Sequence, residues 1–406
     1  MGRYLAVLGV GFTIALAVAI GCDRDESTDS RGPEPVSSLS YKGHENDADS
    51  NGLIAVYPAA AGSRVDDCRT CHRGGEVVDD GERTLELNPC SYCHLVPYPD
   101  ASIVSGAPGS YENTLNPFGL DYGWAGRSTQ ALRDIRNLDS DGDGFANTAE
   151  LAELRYPGDP GSKPGQPIVP VRTITRDEIV TREVHEQFLL MNSHTQRSDF
   201  YATYRGVTVE NLLTAAGADL GSATTVTFIA PDGYARDFEI DAIRKAYPPG
   251  LYCANLDSGS FGDPDQGFVT YPGEEHIPGD LVDGGTIPGE ARLMIAYGRD
   301  GSELDQAHLD PTSVRLEGEG PYRLVVPPTS PGAPDRGSSY SPSGYEDGHD
   351  YDDARDHNAG PSIRAVVAIR VNPMPEGYEE FDWKNGGWSL VERKQLIIYG
   401  AGITGN

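Results

Sequence analysis

Cys68-Arg69-Thr70-Cys71-His72 recurs in type and spacing as Cys90-Ser91-Tyr92-Cys93-His94. On a helical turn, positions i, i+3 and i+4 share one face, so Cys68, Cys71 and His72 address one side of a common partner. Cys90, Cys93 and His94 do the same. Two thiols at this spacing suit covalent attachment to the two vinyl groups of a porphyrin, and the adjoining imidazole suits its iron.

The signature resembles that of c-type cytochromes, and its repetition implies two covalently bound haem c groups. Cys68, Cys71, Cys90 and Cys93 would carry the thioether links, with His72 and His94 as iron ligands. A tetrahedral zinc site is the competing reading of two Cys-x-x-Cys pairs, although zinc needs no histidine after each pair. The short gap from Cys71 to Cys90 implies irons close enough for fast electron exchange. No methionine lies between Met1 and Met191. The distal positions therefore fall to His44, to a residue of a later domain, to a weaker ligand or to none. Filled sites mean electron transfer, whereas an open iron permits catalysis.

Residues 4 to 21 are almost wholly apolar, follow Arg3 and end in Ala19-Ile20-Gly21-Cys22. This is the pattern of a secretory signal. Its end resembles the lipobox of bacterial lipoproteins, which implies acylation of Cys22 and residues 1–21 as signal peptide. An uncleaved membrane anchor is the alternative, since the run is long enough to cross a bilayer if tilted. Either way Arg3 inside and Asp23, Asp25 and Glu26 outside place the rest beyond the cytoplasm, at the periplasmic or outer face of a bacterial membrane. With Cys22 assigned to lipid and four cysteines to haem, Cys253 is what remains of six, and no disulfide is expected.

The formal charge of −30 comes from 62 acidic against 32 basic residues. Phosphate binding wants a basic surface, so nucleic acid is excluded as a partner. The acidic excess suits solubility, or steering of redox partner proteins with a basic docking face. Residues 22–56 are rich in Asp, Ser, Gly and Glu and read as an anchored, solvated tether that contains His44. Residues 57–127 read as the dihaem module, broken up by Gly and Pro.

Ser128 opens a helical stretch with Leu132, Ile135 and Leu138 on its apolar face. It leads into Asp139-Ser-Asp141-Gly-Asp143-Gly144-Phe145-Ala-Asn147-Thr-Ala-Glu150. This matches the twelve-residue EF-hand loop at each ligand position. Carboxylates of Asp139, Asp141 and Asp143, the carbonyl of Phe145, Asn147 directly or through water, and bidentate Glu150 would enclose one Ca2+ ion. Four acidic side chains in one loop repel one another without a cation, and a plain acidic turn is the alternative. Leu151, Leu154 and Tyr156 indicate a short second helix, completing a unit over 128–160. The Pro- and Gly-rich stretch that follows reads as a linker over 161–170.

From residue 171 to 406 the pattern is α+β. Thr175-Arg-Asp-Glu178 is a capping box, with Ile174 and Ile179 placed as a staple. Thr208 caps a second helix that Gly217 stops. Strands are expected at Thr225 to Ile229, Ala291 to Ala296, Thr312 to Leu316, Tyr322 to Val326, Ile363 to Val371 and Gln395 to Tyr399. Ile363, Ala365, Val367, Ile369 and Val371 alternate as in a half-buried strand. Loops of about 255 to 290 and 328 to 362, the latter with His349 and His357, are long enough to be functional or disordered.

Tyr204-Arg-Gly-Val-Thr-Val-Glu-Asn-Leu-Leu213, Val226-Thr-Phe-Ile-Ala-Pro-Asp-Gly-Tyr234 and Gly320-Pro-Tyr-Arg-Leu-Val-Val-Pro327 resemble the molybdopterin-binding domain of the sulfite oxidase family, over roughly 171 to 371. That family carries a molybdenum-ligating cysteine upstream of the first motif. Here Phe188 to Asp199 holds Met191, His194 and Gln196 but no cysteine, and Cys253 lies on the wrong side. A soft thiolate is not readily replaced, so molybdopterin is not expected. His185, Met191 and His194 stand as candidates for reaching back to a haem.

The sequence thus describes a multidomain protein, with a mainly α and irregular dihaem cytochrome c module and EF-hand-like loop followed by a β-rich α+β domain of sulfite-oxidase-like type. Its expected role is a lipid-anchored electron carrier with no catalytic residues of its own. The alternatives are a molybdenum oxidoreductase that feeds its own haems, or a haem enzyme such as a peroxidase working at an open iron.

Overall fold

Leu53 joins a buried core shared with residues much later in the chain. The computed structural model describes residues 48–78, 84–94, 105–193, 199–254, 269–309, 316–330, 332–334 and 356–405. Within the expected tether, α1 spans Ala48–Val56. Leu53 is buried with Phe118, Tyr122, Leu132, Ile135, Leu151 and Tyr156. Asp49 accepts a hydrogen bond from the Tyr122 hydroxyl at 2.7 Å and pairs with Arg127. The last residues of the expected tether are therefore part of the folded body. Cys22, His44, His194 and His349 lie outside the described residues.

Regular structure in the first module is short. β1, Gly75–Val78, pairs antiparallel with β2, Thr84–Leu87, and α2 follows at Pro89–His94. The α3 helix, Pro117–Trp124, starts where a start signal is strongest: the Asn116 side chain accepts from the Gly119 amide at 2.9 Å, and Pro117 needs no donor. α4, Thr129–Asp134, is capped by Ser128, and α5 covers Asn147–Ala152. Leu132 and Ile135 face the core as expected, while Leu138 is exposed.

The C-terminal domain has more strand than helix. β3, Val171–Thr175, runs into α6, Arg176–Ile179, where the Thr175 hydroxyl accepts from the Glu178 amide. β4, His185–Met191, and β5, Asp199–Thr208, form a long antiparallel pair with Leu189 opposite Ala202. α7, Val209–Ala215, is capped by Thr208 and ends before Gly217 at φ +87°. Then come β6, Thr225–Ile229, β7, Ala235–Glu239, β8, Met294–Arg299, β9, Ser302–Glu303, β10, Arg323–Val325, and β11, Ala368–Val371. α8, Trp383–Glu392, and β12, Gln395–Gly400, close the chain.

These strands make two main sheets. One has the order β3-β12-β11-β6-β7, with β11 and β12 parallel. The other runs β9-β8-β5-β4, with β10 also paired to β8. Val207, Ile295 and Leu324 of the second sheet share one buried cluster with Phe228, Ile369 and Ile398 of the first and with Leu212 and Leu213 of α7. Each such side chain contributes about 1.5–3 kcal/mol by leaving water, so this shared core holds the sheets together.

Two strands differ from expectation for physical reasons. The stretch from Ile363 to Val371 is not half buried. Ile369 and Val371 face the shared core, while Ala365, Val367 and Ala368 face a second one with Trp388 and Leu390. A strand covered on both faces reads as a continuous apolar run, and alternation fails to describe it. The strand also starts only at Ala368, after Ala365 takes φ +52°. The segment expected at Ala291 to Ala296 is shifted, because Ala291 pairs with Tyr247 and the run from Met294 pairs with β5.

The 161–170 stretch is tied down at its end. Val169 donates to the Glu379 carbonyl at 2.9 Å and the Glu379 amide donates to Pro167 at 2.7 Å. No helix among the described residues is long and apolar enough to cross a membrane, and residues 4 to 21 are not among them.

Candidate functional site

Cys68–Thr70 form a 3-10 turn capped by the Asp67 side chain, which accepts from the Arg69 amide at 2.7 Å. The His72 amide donates to the Cys68 carbonyl at 2.8 Å, so Cys68, Cys71 and His72 belong to one closed turn. Asn116 buttresses this turn through Nδ2, which donates to the Arg69 carbonyl at 2.8 Å and the Thr70 carbonyl at 3.1 Å. Gly119 lets α3 approach closely, since a Cβ there would stand 2.0 Å from the Cys71 carbonyl oxygen. The side chains of Cys68, Cys71 and Cys93 are each partly exposed.

The tautomer of His72 follows from its neighbours. The Thr114 hydroxyl spends its proton on the Tyr111 carbonyl at 2.7 Å. Its oxygen must then accept from His72 Nδ1, 3.2 Å away. With the proton on Nδ1, the lone pair is on Nε2, the atom an axial ligand offers to a metal. The donor set Cys68, Cys71 and His72 therefore fits haem c.

The second motif lies on α2, which extends over Pro89–His94. Tyr111 relates the two: burial pushes its hydroxyl pKa up, Arg127 pulls it down, and Asp49, Cys71 and Cys93 push it up. Both motifs thus lie within electrostatic reach of one tyrosine, whose ring also meets the His72 ring edge-on at 5.6 Å. The Tyr92 ring, inside the second motif, lies 5.9 Å from the Arg73 guanidinium beside the first.

At the calcium loop, ligand atoms of Asp139, Asp141 and Asp143 lie within 4.8 Å of one another. Oxygens bound to one Ca2+ at 2.3–2.6 Å are spread over at most about 5 Å, so the three fit one coordination sphere. Asp139 Oδ1 and Oδ2 accept from the amides of Gly142 and Gly144 at 2.8 and 2.9 Å, which folds the loop inward. Gly144 adopts φ +98°, a turn a side chain would strain.

Glu150 is 0 % exposed, and neither of its carboxylate oxygens has a hydrogen-bond partner; Asp141 Oδ2 and Asp143 Oδ2 are likewise buried without one. Burial, reinforced by Asp141, Asp143 and Asp139, pushes the Glu150 pKa up to about 8. Asp141 rises to about 6, mainly by burial. Buried carboxylates without donors are costly unless a cation completes them, and these residues fit Ca2+. Lys163 supplies a partial substitute, with Nζ 3.7 Å from Asp143 Oδ2. Asn147 is occupied within the protein, where its amide donates to the Ile135 carbonyl and Ser140 Oγ, both at 2.9 Å, and its oxygen accepts from the Ser140 amide.

Of the side chains considered as distal ligands, His44 and His194 lie outside the described residues, and His185 and Met191 are engaged elsewhere. His185 Nε2 is 3.2 Å from Gln187 Oε1 on β4. Met191 is fully buried in the C-terminal domain, its sulfur 3.7 Å from Asn358 Nδ2. Cys253 donates its amide to the Tyr201 hydroxyl at 2.9 Å. A cleft of about 550 Å³ beside β4, β5 and β8 is lined by Arg176, Arg205 and Arg299 but also by Glu186, Glu275 and Glu303, so charge alone selects no ligand.

One arrangement was invisible in the sequence. Arg64 and Arg155 both pair with Glu379, and Arg69 pairs with Asp159 and with Asp382, 2.7 Å away. The guanidinium groups of Arg64 and Arg69 stack on Tyr156 at 4.7 and 4.0 Å. The Cys68–His72 turn, the helix-loop-helix unit over 128–160 and the C-terminal domain meet here. Compared with protein-family models, curated proteins and solved structures, the chain gives no match.

Proposed function

We propose that this chain is an exported dihaem c-type cytochrome that carries electrons at a membrane surface, anchored by lipid at Cys22. The observation that carries the reading is the first motif: two partly exposed thiols in one closed turn with an imidazole whose Nδ1 proton is fixed by Thr114. Cys68, Cys71 and His72 would hold one haem, and Cys90, Cys93 and His94 the second. Bound haem supplies one-electron exchange at iron. Thr114 orients the imidazole, Asn116 fixes the turn, and the Tyr111 ring packs edge-on against His72.

Ca2+ at Asp139, Asp141, Asp143, the Phe145 carbonyl and Glu150 has a structural role in this reading, compensating Asp141 Oδ2, Asp143 Oδ2 and both Glu150 oxygens, which the protein itself leaves without donors. The C-terminal domain serves as a scaffold and docking body, for a redox partner with a basic face, rather than as a molybdenum centre. Met191 supports that assignment, being a buried thioether in the stretch where the resembled family carries its thiolate.

The test uses protein matured by export. Alkaline pyridine should yield haemochrome bands, and mass spectrometry two covalently added haems. Absence of both overturns the reading, and stoichiometric molybdenum in the same sample would replace it with an oxidoreductase.

A further inference from the structure

Arg69 occupies the first variable position of the first haem motif. Consecutive residues of a turn point to different sides, so a side chain next to Cys68 lies away from the face shared by Cys68, Cys71 and His72. That reverse side is where Arg69 is held. It bonds to Asp159, near the end of the 128–160 unit, and to Asp382, which precedes α8 of the C-terminal domain. Its guanidinium is stacked on Tyr156, and its side chain is 12 % exposed. Burial alone would lower its pKa, but Asp382, Tyr156, Asp159 and Asp67 outweigh that and raise it. The group is permanently charged and faces an excess of carboxylate.

Thr70, the other variable residue, is held as well, its hydroxyl donating to the Val65 carbonyl at 2.6 Å. The turn's conformation is thus set from behind, by neighbouring Val65 and by Asp159 and Asp382 far away in the chain. We infer that Asp382 is a positioning residue for the first haem: acting through Arg69, it fixes the Cys68–His72 turn and adds negative charge that lowers the potential of the haem attached there. This gives the C-terminal domain a part in the redox chemistry that needs no cofactor of its own. The inference rests on the haem reading above.

The sign follows from electrostatics. Negative charge near the iron stabilises the ferric state, whose charge is one unit more positive, and so lowers the potential. Asp382→Asn removes a charge without changing shape. In full-length, matured protein carrying both haems by mass, potentiometric titration of D382N should show one of two midpoints raised by about 59 mV, tenfold in the one-electron equilibrium, with the other unmoved. Asp382→Glu should return the midpoint toward that of the parent protein.

Both haems attached and both midpoints unmoved from the parent would overturn the assignment while leaving the electron-carrier reading intact. A parent protein without covalent haem would sink both. Should D382N fail to mature, Arg69→Gln is titrated instead. It removes the positive charge that opposes Asp382 and should lower the midpoint, and an unmoved midpoint there overturns the assignment equally.

Discussion

Arg155 Nη1 lies 2.5 Å from Glu379 Oε2, and both side chains are more than nine-tenths shielded from water. Arg155 follows α5 of the calcium unit, and Glu379 belongs to the C-terminal domain. The second carboxylate oxygen of Glu379 takes Arg64, so one carboxylate is shared by two guanidinium groups from the first half of the chain.

Such an arrangement contributes little as a pair but is costly to break on one side, because the remaining charges stay buried. Glu379→Gln should therefore destabilise the protein by about 3–5 kcal/mol. Denaturant unfolding measures it, and separate transitions for the two halves are the expected form. A loss below about 1 kcal/mol would show these charges to be solvated and the junction to be held by other contacts.

Thr114 makes a different prediction. Thr114→Val keeps the volume but removes the acceptor for His72 Nδ1 and the donor to the Tyr111 carbonyl. Leaving buried groups unsatisfied costs about 1–3 kcal/mol. A histidine without its Nδ1 partner is also a weaker donor to iron, so the midpoint of one haem should rise while covalent loading stays complete. Unchanged potential and unchanged melting temperature together would mean that the imidazole is held by other means.

Local signals explain what was legible in the chain. Thr208 and Gly217 mark α7 because a cap and a left-handed stop are decided by adjacent residues, and Thr225–Ile229 is found where its β-branched run predicts. The β4–β5 pair was not anticipated. His185–Met191 buries five consecutive side chains from Gln187 on, so it lacks the alternation that marks a one-sided strand. The side chains of Asp139, Asp141 and Asp143 converge as their spacing anticipates, but the commitment of Asn147 to Ile135 and Ser140 was not legible. That depends on how the preceding helix packs. Least legible was the junction of Arg64, Arg69 and Arg155 with Glu379 and Asp382, since no local pattern pairs charges so distant in sequence.

Chelation tests the calcium loop directly. A cation bound only by the folded state stabilises it by about 2.7 kcal/mol at a hundred times its dissociation constant. Melting temperature should rise with Ca2+ and fall in excess chelator, and Glu150→Gln should abolish most of that response. Indifference of both proteins to chelator would remove the calcium assignment.

The cation-free protein should also show a pH dependence of definite sign. Glu150 has its folded pKa raised to about 8 from a model-peptide value of 4.5, with burial as the main cause and the three aspartates adding to it. Folding therefore favours its neutral form, and that contribution is fully present below pH 4.5. It is lost as the pH rises through about 8, where the buried carboxylate must ionise. Asp141, raised to about 6, adds a loss of the same sign at lower pH. In chelator the melting temperature should fall between about pH 5 and pH 8.5, less steeply in E150Q, whose neutral amide has no proton to lose. Saturating Ca2+ should flatten or reverse the slope, because the ion binds the ionised carboxylates. A parent protein that follows the E150Q profile in chelator would mean that water already solvates Glu150, and the electrostatic argument for the ion would fail with it.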